Sequence, residues 1–304
     1  MVEKINLDMK GLKFVAIAQI VSLFYTVIVG GSSWIRAVSD LYSPEHSVFL
    51  RLMTLGFSFL QIGVGIAVIV FMIMGLSKLA QYSKKFEKAR LFYVINLISS
   101  VVFTFIVLVT CGIALVSRVS QGYDYRDISD FKHIIVTVMI LVGIYQIVVT
   151  VLNIMYVRML CFGCKELSLA TGTIQLEQKF TKIEKVYRIC TIIYSVGAIV
   201  SLSIIFSAAL KIFDELSFFS STYAPDLLTY FTTVPVVLAV ILLLGLALMH
   251  LIVVMFLATY LWNGWKTFEG KEVYIGRGSN GIILIPMPDV ATNNTSQDIQ
   301  RGNI

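Results

Sequence analysis

The side chains able to do chemistry are few and fall in three places. Asp124, Asp127, Asp130 and His133 recur every third residue. Carboxylate oxygens joined by one imidazole are a ligand set for a divalent cation. The same acids at a helix start would satisfy free amide groups and oppose the macrodipole, and Arg126 and Lys132 would neutralise them, so no metal is assigned. Cys161-Phe162-Gly163-Cys164 pairs two thiols, with Cys190 further on. That spacing suits half a zinc site or redox exchange, but no fourth ligand or histidine lies near it. Reversible lipidation and plain packing are the alternatives. His250 stands alone in a long apolar run. Neither a nucleophile–base pair nor paired carboxylates are gathered anywhere, so the expectation is no enzyme and no cofactor.

What remains is a polar stripe. In Met139–Met159, Gly143, Gln146, Thr150 and Asn153 recur at i, i+3, i+7 and i+10 among Val, Ile, Leu, Met and Tyr. At helical spacing they fall within roughly 80° of one another. Gln19, Thr26, Gly30 and Ser33 make a similar stripe, as do Asn96, Ser100, Thr104 and Cys111. Such faces are costly against lipid and must meet other helices or water. They serve either as hydrogen-bonding glue between helices or as the lining of a path for an uncharged solute.

The elements that carry these stripes are membrane spans. The chain is 58% hydrophobic and 14% charged, where soluble domains carry about 25% charged residues. Its mean hydropathy is +0.86. Charge-free windows predict an all-α polytopic membrane bundle with six transmembrane helices at about 14–35, 52–77, 91–117, 133–157, 189–210 and 235–265, the last opening near Pro235. Phe218, Phe219, Tyr223, Tyr230 and Phe231 would then lie along the interface. Gly56, Gly63 and Ala67 share a face of the second span suited to close helix approach, with Ser58, Gln61 and Gly65 opposite. The first window is too long for a signal-peptide core, so it is expected to stay as a span. Four cysteines indicate no disulfide framework.

Of the 24 Lys and Arg, 18 lie in the N-terminus, the loops after spans 2 and 4, and the C-terminus. The positive-inside rule makes those segments, and both termini, cytoplasmic in a cell membrane. No Asp, Glu, Lys or Arg lies within a span, which argues against ion-coupled carriers, proton pumps and voltage sensors. Gly-x-x-x-x-Gly-Lys-Ser/Thr is absent, so energy for any transport would come from a partner.

A weak internal repeat runs through the spans. Gly56 with Gly75-x-x-x-Leu79, Gly143 with Gly163-x-x-x-Leu167, and Gly245 with Gly264-x-x-x-Phe268 mark three hairpins. Phe86-Glu87-Lys88 resembles Phe180-Thr181-Lys182 at the starts of spans 3 and 5. Glycine stops and basic helix starts would also arise from topology alone. Residues 269–304 read as a disordered tail, with Ile282-Ile283-Leu284-Ile285 able to add as a strand to a partner.

Six spans, basic loops, Gly-x-x-x-Leu stops and Ile/Val/Tyr/Ser-rich helices resemble archaeal, crenarchaeal-type multi-pass membrane proteins, among them the membrane subunits of the CedA DNA-import family. The resemblance covers residues 1–268 in layout and composition and carries no functional residue. It implies a pore component working with small membrane proteins and a cytoplasmic ATPase, with nucleic acid as cargo. The functional expectation is a membrane subunit of a transport or translocation assembly. The alternatives are a non-transporting scaffold and an autonomous channel for a small uncharged solute. The partners are the lipid bilayer and other membrane proteins or further copies of the chain.

Overall fold

The structure is a computed structural model. It describes residues 2–42, 48–121, 128–218, 233–278 and 281–285, with side chains described over 4–26, 60–112, 134–208, 210–211 and 233–274. Among the described residues there are six long helices: α1 Lys10–Tyr42, α2 Val48–Ala80, α3 Lys84–Gln121, α4 Ile128–Ala170, α5 Ile174–Phe218 and α6 Val234–Phe268. Three strands join them: β1 Val2–Asn6, β2 Glu272–Gly278 and β3 Gly281–Ile285. Five helices, α2 to α6, contain described segments long and apolar enough to cross a membrane. Large apolar side chains stay exposed along them, such as Ile98, Val101, Phe105 and Leu108 on α3. The chain is a helical bundle built for the membrane.

The helices overrun the expected spans. Arg36 lies in α1 and Arg51 in α2, and most of the basic segment Lys78–Arg90 is helical around a short turn. α6 opens at Val234, with Pro235 in its first turn, where a missing amide hydrogen costs nothing. Of the residues expected along the interface, Phe218 ends α5; Phe219, Tyr223, Tyr230 and Phe231 lie outside the described residues.

The chain divides into two compact units. The first comprises 1–90, 158–184 and 254–304, the second 91–157 and 185–253. The first unit gathers helix ends and the sheet. β1 runs antiparallel to β2, from Val2 opposite Gly276 to Asn6 opposite Glu272, and β3 adds to the other side of β2. The chain is therefore folded over Glu272–Gly278 and Gly281–Ile285, against the expectation of a disordered tail from 269. The run Ile282–Ile285 pairs within the chain instead of waiting for a partner. Residues 286–304 lie outside the described residues. Gly270, at φ +73°, turns the chain from α6 into β2, and its amide donates to the Leu7 carbonyl at 3.0 Å. Glu269 accepts the Met9 amide at 2.8 Å at the start of α1. Lys4 pairs with Glu272 at 2.6 Å, and this bond raises the lysine above its usual pKa of 10.5. The pair's contribution is complete below that pH and fades as pH rises through the raised value.

The glycines expected to stop helices do not stop them. α2 runs on from Gly75 to Ala80, α4 from Gly163 to Ala170 and α6 from Gly264 to Phe268. These glycines give up their side chains for sideways packing. A Cβ on Gly75 would lie 2.7 Å from the Gly11 carbonyl oxygen, and one on Gly163 would lie 2.6 Å from the Phe86 ring. At Gly264 the Phe180 ring and Leu12 stand 3.4 and 3.2 Å away. The three contacting positions share a pattern: Lys10-Gly11-x-Lys13, Lys85-Phe86-x-Lys88 and Lys179-Phe180-x-Lys182. Four residues after each packing glycine, Leu79, Leu167 and Phe268 are completely buried. The repeat is thus expressed as a contact at three glycines, tight at Gly75 and Gly163 and looser at Gly264. By contrast, nothing lies within 4 Å of a Cβ on Gly63, the expected close-approach residue of α2, nor on Gly143 or Gly245.

The helix ends are closed by other means. After α4, Gly172 takes φ +68°, and the Thr173 amide reaches back to the Ser168 carbonyl at 2.8 Å, a glycine-dependent end. Ser83 caps α3 by accepting the Lys85 amide at 3.0 Å, while its own hydroxyl donates to Glu166. Lys165 pairs with Glu184 at 2.7 Å, tying α4 to α5 within this unit.

Gly75→Ala is expected to destabilise the protein by about 1–3 kcal/mol, because backbone rather than a movable side chain blocks the new methyl. Gly245→Ala is expected to be neutral or slightly stabilising. Thermal melts in mild detergent check both; equal melting temperatures would refute the contact at Gly75.

Candidate functional site

The second unit holds the polar stripes of α3 and α4. α3 and α4 run antiparallel, so residues advancing along one meet residues receding along the other. Asn96 Nδ2 donates to Asn153 Oδ1 at 3.0 Å. One turn further along α3, the Tyr145 hydroxyl donates to Ser100 Oγ at 2.8 Å, and the Tyr145 ring stacks on Phe103 at 4.0 Å between centroids. On the other side of α4, Thr150 Oγ1 and Ser195 Oγ of α5 are 2.8 Å apart, and Thr150 also donates to the Gln146 carbonyl at 2.7 Å. The result is a hydrogen-bonded seam through three helices.

α5 meets α6 through aromatic rings. His250 stacks on Tyr194 with centroids 5.2 Å apart and sits tilted on Tyr187 at 5.6 Å. Thr191 lies between these tyrosines on the same face of α5, one turn from Ser195. Leu246 closes over Gly197 and leaves no room for a Cβ there. Successive contacts of Asn153 with Asn96, Ser195 with Thr150 and His250 with Tyr194 fall within a few residues along the helices. At 1.5 Å per residue that is a layer about one turn thick.

Not every atom in this layer is satisfied. Asn96 Oδ1, Thr191 Oγ1 and His250 Nδ1 are buried without a hydrogen-bond partner, as is Ser201 Oγ further along α5. Thr191 is only 4% exposed. In hydrocarbon such atoms carry a penalty of about 1–3 kcal/mol each unless something pairs with them. The layer is neutral: amides, hydroxyls and one imidazole. It can donate and accept hydrogen bonds.

The other stripe residues are placed differently. Gln146 is half-buried and Gly143 faces open space. Thr104 is exposed, its hydroxyl turned back to the Ser100 carbonyl at 2.9 Å. Gln19 and Thr26 belong to the first unit: Gln19 is 8% exposed, and Thr26 is exposed with its hydroxyl on the Ser22 carbonyl. Gly30 and Ser33 lie outside the described side chains. Tyr145, Thr191 and Ser195 do not stand out in the sequence, although Tyr187, Thr191, Tyr194 and Ala198 do follow a helical 4-3-4 spacing.

Of the candidate cation ligands, Asp124 and Asp127 lie outside the described residues, and the side chains of Asp130 and His133 do too. Among the described residues no group of three His, Cys, Asp or Glu could hold a metal. Cys161 and Cys164 are free thiols, both completely buried in the first unit; Cys190, in the second, is half-buried. Comparison with family models, with curated proteins and with solved structures finds no match in any of the three.

Asn153→Leu is expected to cost about 1–3 kcal/mol by leaving the Asn96 amide unpaired. The pair Asn96→Leu with Asn153→Leu is expected to cost less than the two single changes added, with a coupling of about 0.5–2 kcal/mol. A double-mutant cycle of detergent unfolding measures this; strict additivity would show that the amides do not interact.

Proposed function

We propose that the chain is the membrane-embedded subunit of a larger assembly, and that its polar seam holds the helices in register. The observation that carries this reading is the pairing of stripe residues across helices: Asn96 with Asn153, Ser100 with Tyr145, Thr150 with Ser195. A polar face whose groups are taken by neighbouring helices acts first as packing. In this reading the chain sits in the cell membrane with its basic loops and both ends in the cytoplasm, supported by the distribution of Lys and Arg. Any movement of cargo draws its energy from a partner, since the chain has no nucleotide-binding motif.

A second reading, a translocation path, is favoured by the unpartnered Asn96 Oδ1, Thr191 Oγ1 and His250 Nδ1, which would line a wet route. The basic loops suit nucleic acid as its cargo. The two readings part on one experiment: brief crosslinking in native membranes, then affinity purification in mild detergent. Other membrane proteins recovered with the chain are the expected result. A homo-oligomer alone would overturn the assembly reading in favour of an autonomous channel or scaffold. A cytoplasmic ATPase or trapped nucleic acid in the same fraction selects translocation, and Gln146→Leu with Asn153→Leu should then reduce transport without preventing insertion.

A further inference from the structure

At the end of the second unit away from the seam, α5 and α6 enclose an open cavity of about 610 Å³. Its walls are Ile199, Val200, Ile204, Ala208 and Val236, with Ser203 and Ser207 on the same face and Lys211 and Thr233 at one end. The serines add little polarity. Ser203 Oγ donates to the Ile199 carbonyl at 2.8 Å, and Ser207 Oγ donates to the Ser203 carbonyl at 2.7 Å. What the cavity presents is hydrocarbon, opening beside one exposed ammonium group.

We propose that this groove is a lipid site, in which one apolar chain of an anionic membrane lipid lies between α5 and α6 with its phosphate at Lys211. Three observations lead there. The groove belongs to helices whose other faces are exposed and apolar, such as Val196, Leu238 and Ile241, so its surroundings are acyl chains. Water would find too few free polar groups on its walls to stay. Lys211 is the first charged residue after the charge-free run 189–210 of α5, where its flexible stem carries the charge to headgroup depth. The hydrocarbon wall selects a chain, and the lysine selects an anionic head over a zwitterionic one.

The test uses the full chain in nanodiscs of equal phosphatidylglycerol and phosphatidylcholine, released for native mass spectrometry. The wild type is expected to retain one lipid, predominantly phosphatidylglycerol. Lys211→Gln, at an exposed position, should lower the preference for phosphatidylglycerol by about fivefold, the usual contribution of one lysine near a lipid surface. Ser203→Leu with Ser207→Leu fills the groove and should remove the retained lipid, with melting in detergent reporting that the fold is intact. The proposal is overturned if the wild type retains no lipid, or if Lys211→Gln leaves the preference unchanged. Retention of the lipid by a folded, groove-filled variant overturns it equally. If the filled variant does not fold, Lys211→Gln alone decides.

Discussion

Two helices can approach closer than their side chains allow only where one of them has none. The first unit depends on that at three places. Gly75, Gly163 and Gly264 each receive the start of the helix with which they share a hairpin: the Gly11 backbone, the Phe86 ring and the Phe180 ring. Lipid tails are as apolar as leucine, so helices in a membrane gain little by hiding apolar surface from one another. Contact area and hydrogen bonds must supply the cohesion. The glycines supply the first, and they let Leu79, Leu167 and Phe268 sink completely below the surface one turn later. The seam of the second unit supplies the other.

The helices were legible because charge is excluded from hydrocarbon, and a charge-free window of sufficient length can become little else. The packing glycines were visible too, but their meaning was not. A glycine near the end of an apolar run reads as a helix terminator, since termination is its commonest local role. Whether it is used lengthwise or sideways depends on what lies across from it, and Gly11 is 64 positions from Gly75. The sheet was hidden for the same reason. A tail rich in Gly, Asn and Ser carries no local sign of order, and the strand that orders it, Val2–Asn6, stands at the far end of the chain.

The seam was half legible. Polar residue type on an apolar helix revealed Asn96, Ser100, Thr150 and Asn153. Their partners Tyr145 and Ser195 were hidden, because tyrosine counts as membrane-compatible and a single serine on α5 stands out from nothing. Helical angle also fails to say where a hydroxyl points. Thr104 shares a stripe with the bridging Asn96 and Ser100, yet its hydroxyl turns back onto its own helix, as that of Thr26 does on α1. That local bond is always within reach of Ser and Thr. Thr150 does both, folding back to the Gln146 carbonyl and meeting Ser195 across the helices, while Asn96 and Tyr145 reach across to Asn153 and Ser100.

The pairing of β1 with β2 has a consequence of parity. Two strands joined by backbone hydrogen bonds in one compact unit must emerge on the same side of the bilayer. A chain that leaves one side and returns to it has crossed an even number of times. α2 to α6 are long and apolar enough to cross, and an odd number of crossings would strand β1 and β2 on opposite faces while an even number lets them pair. The small sheet thus acts as a counter: adding or deleting a single span anywhere between residues 10 and 268 would unzip it, whatever the new segment's own stability.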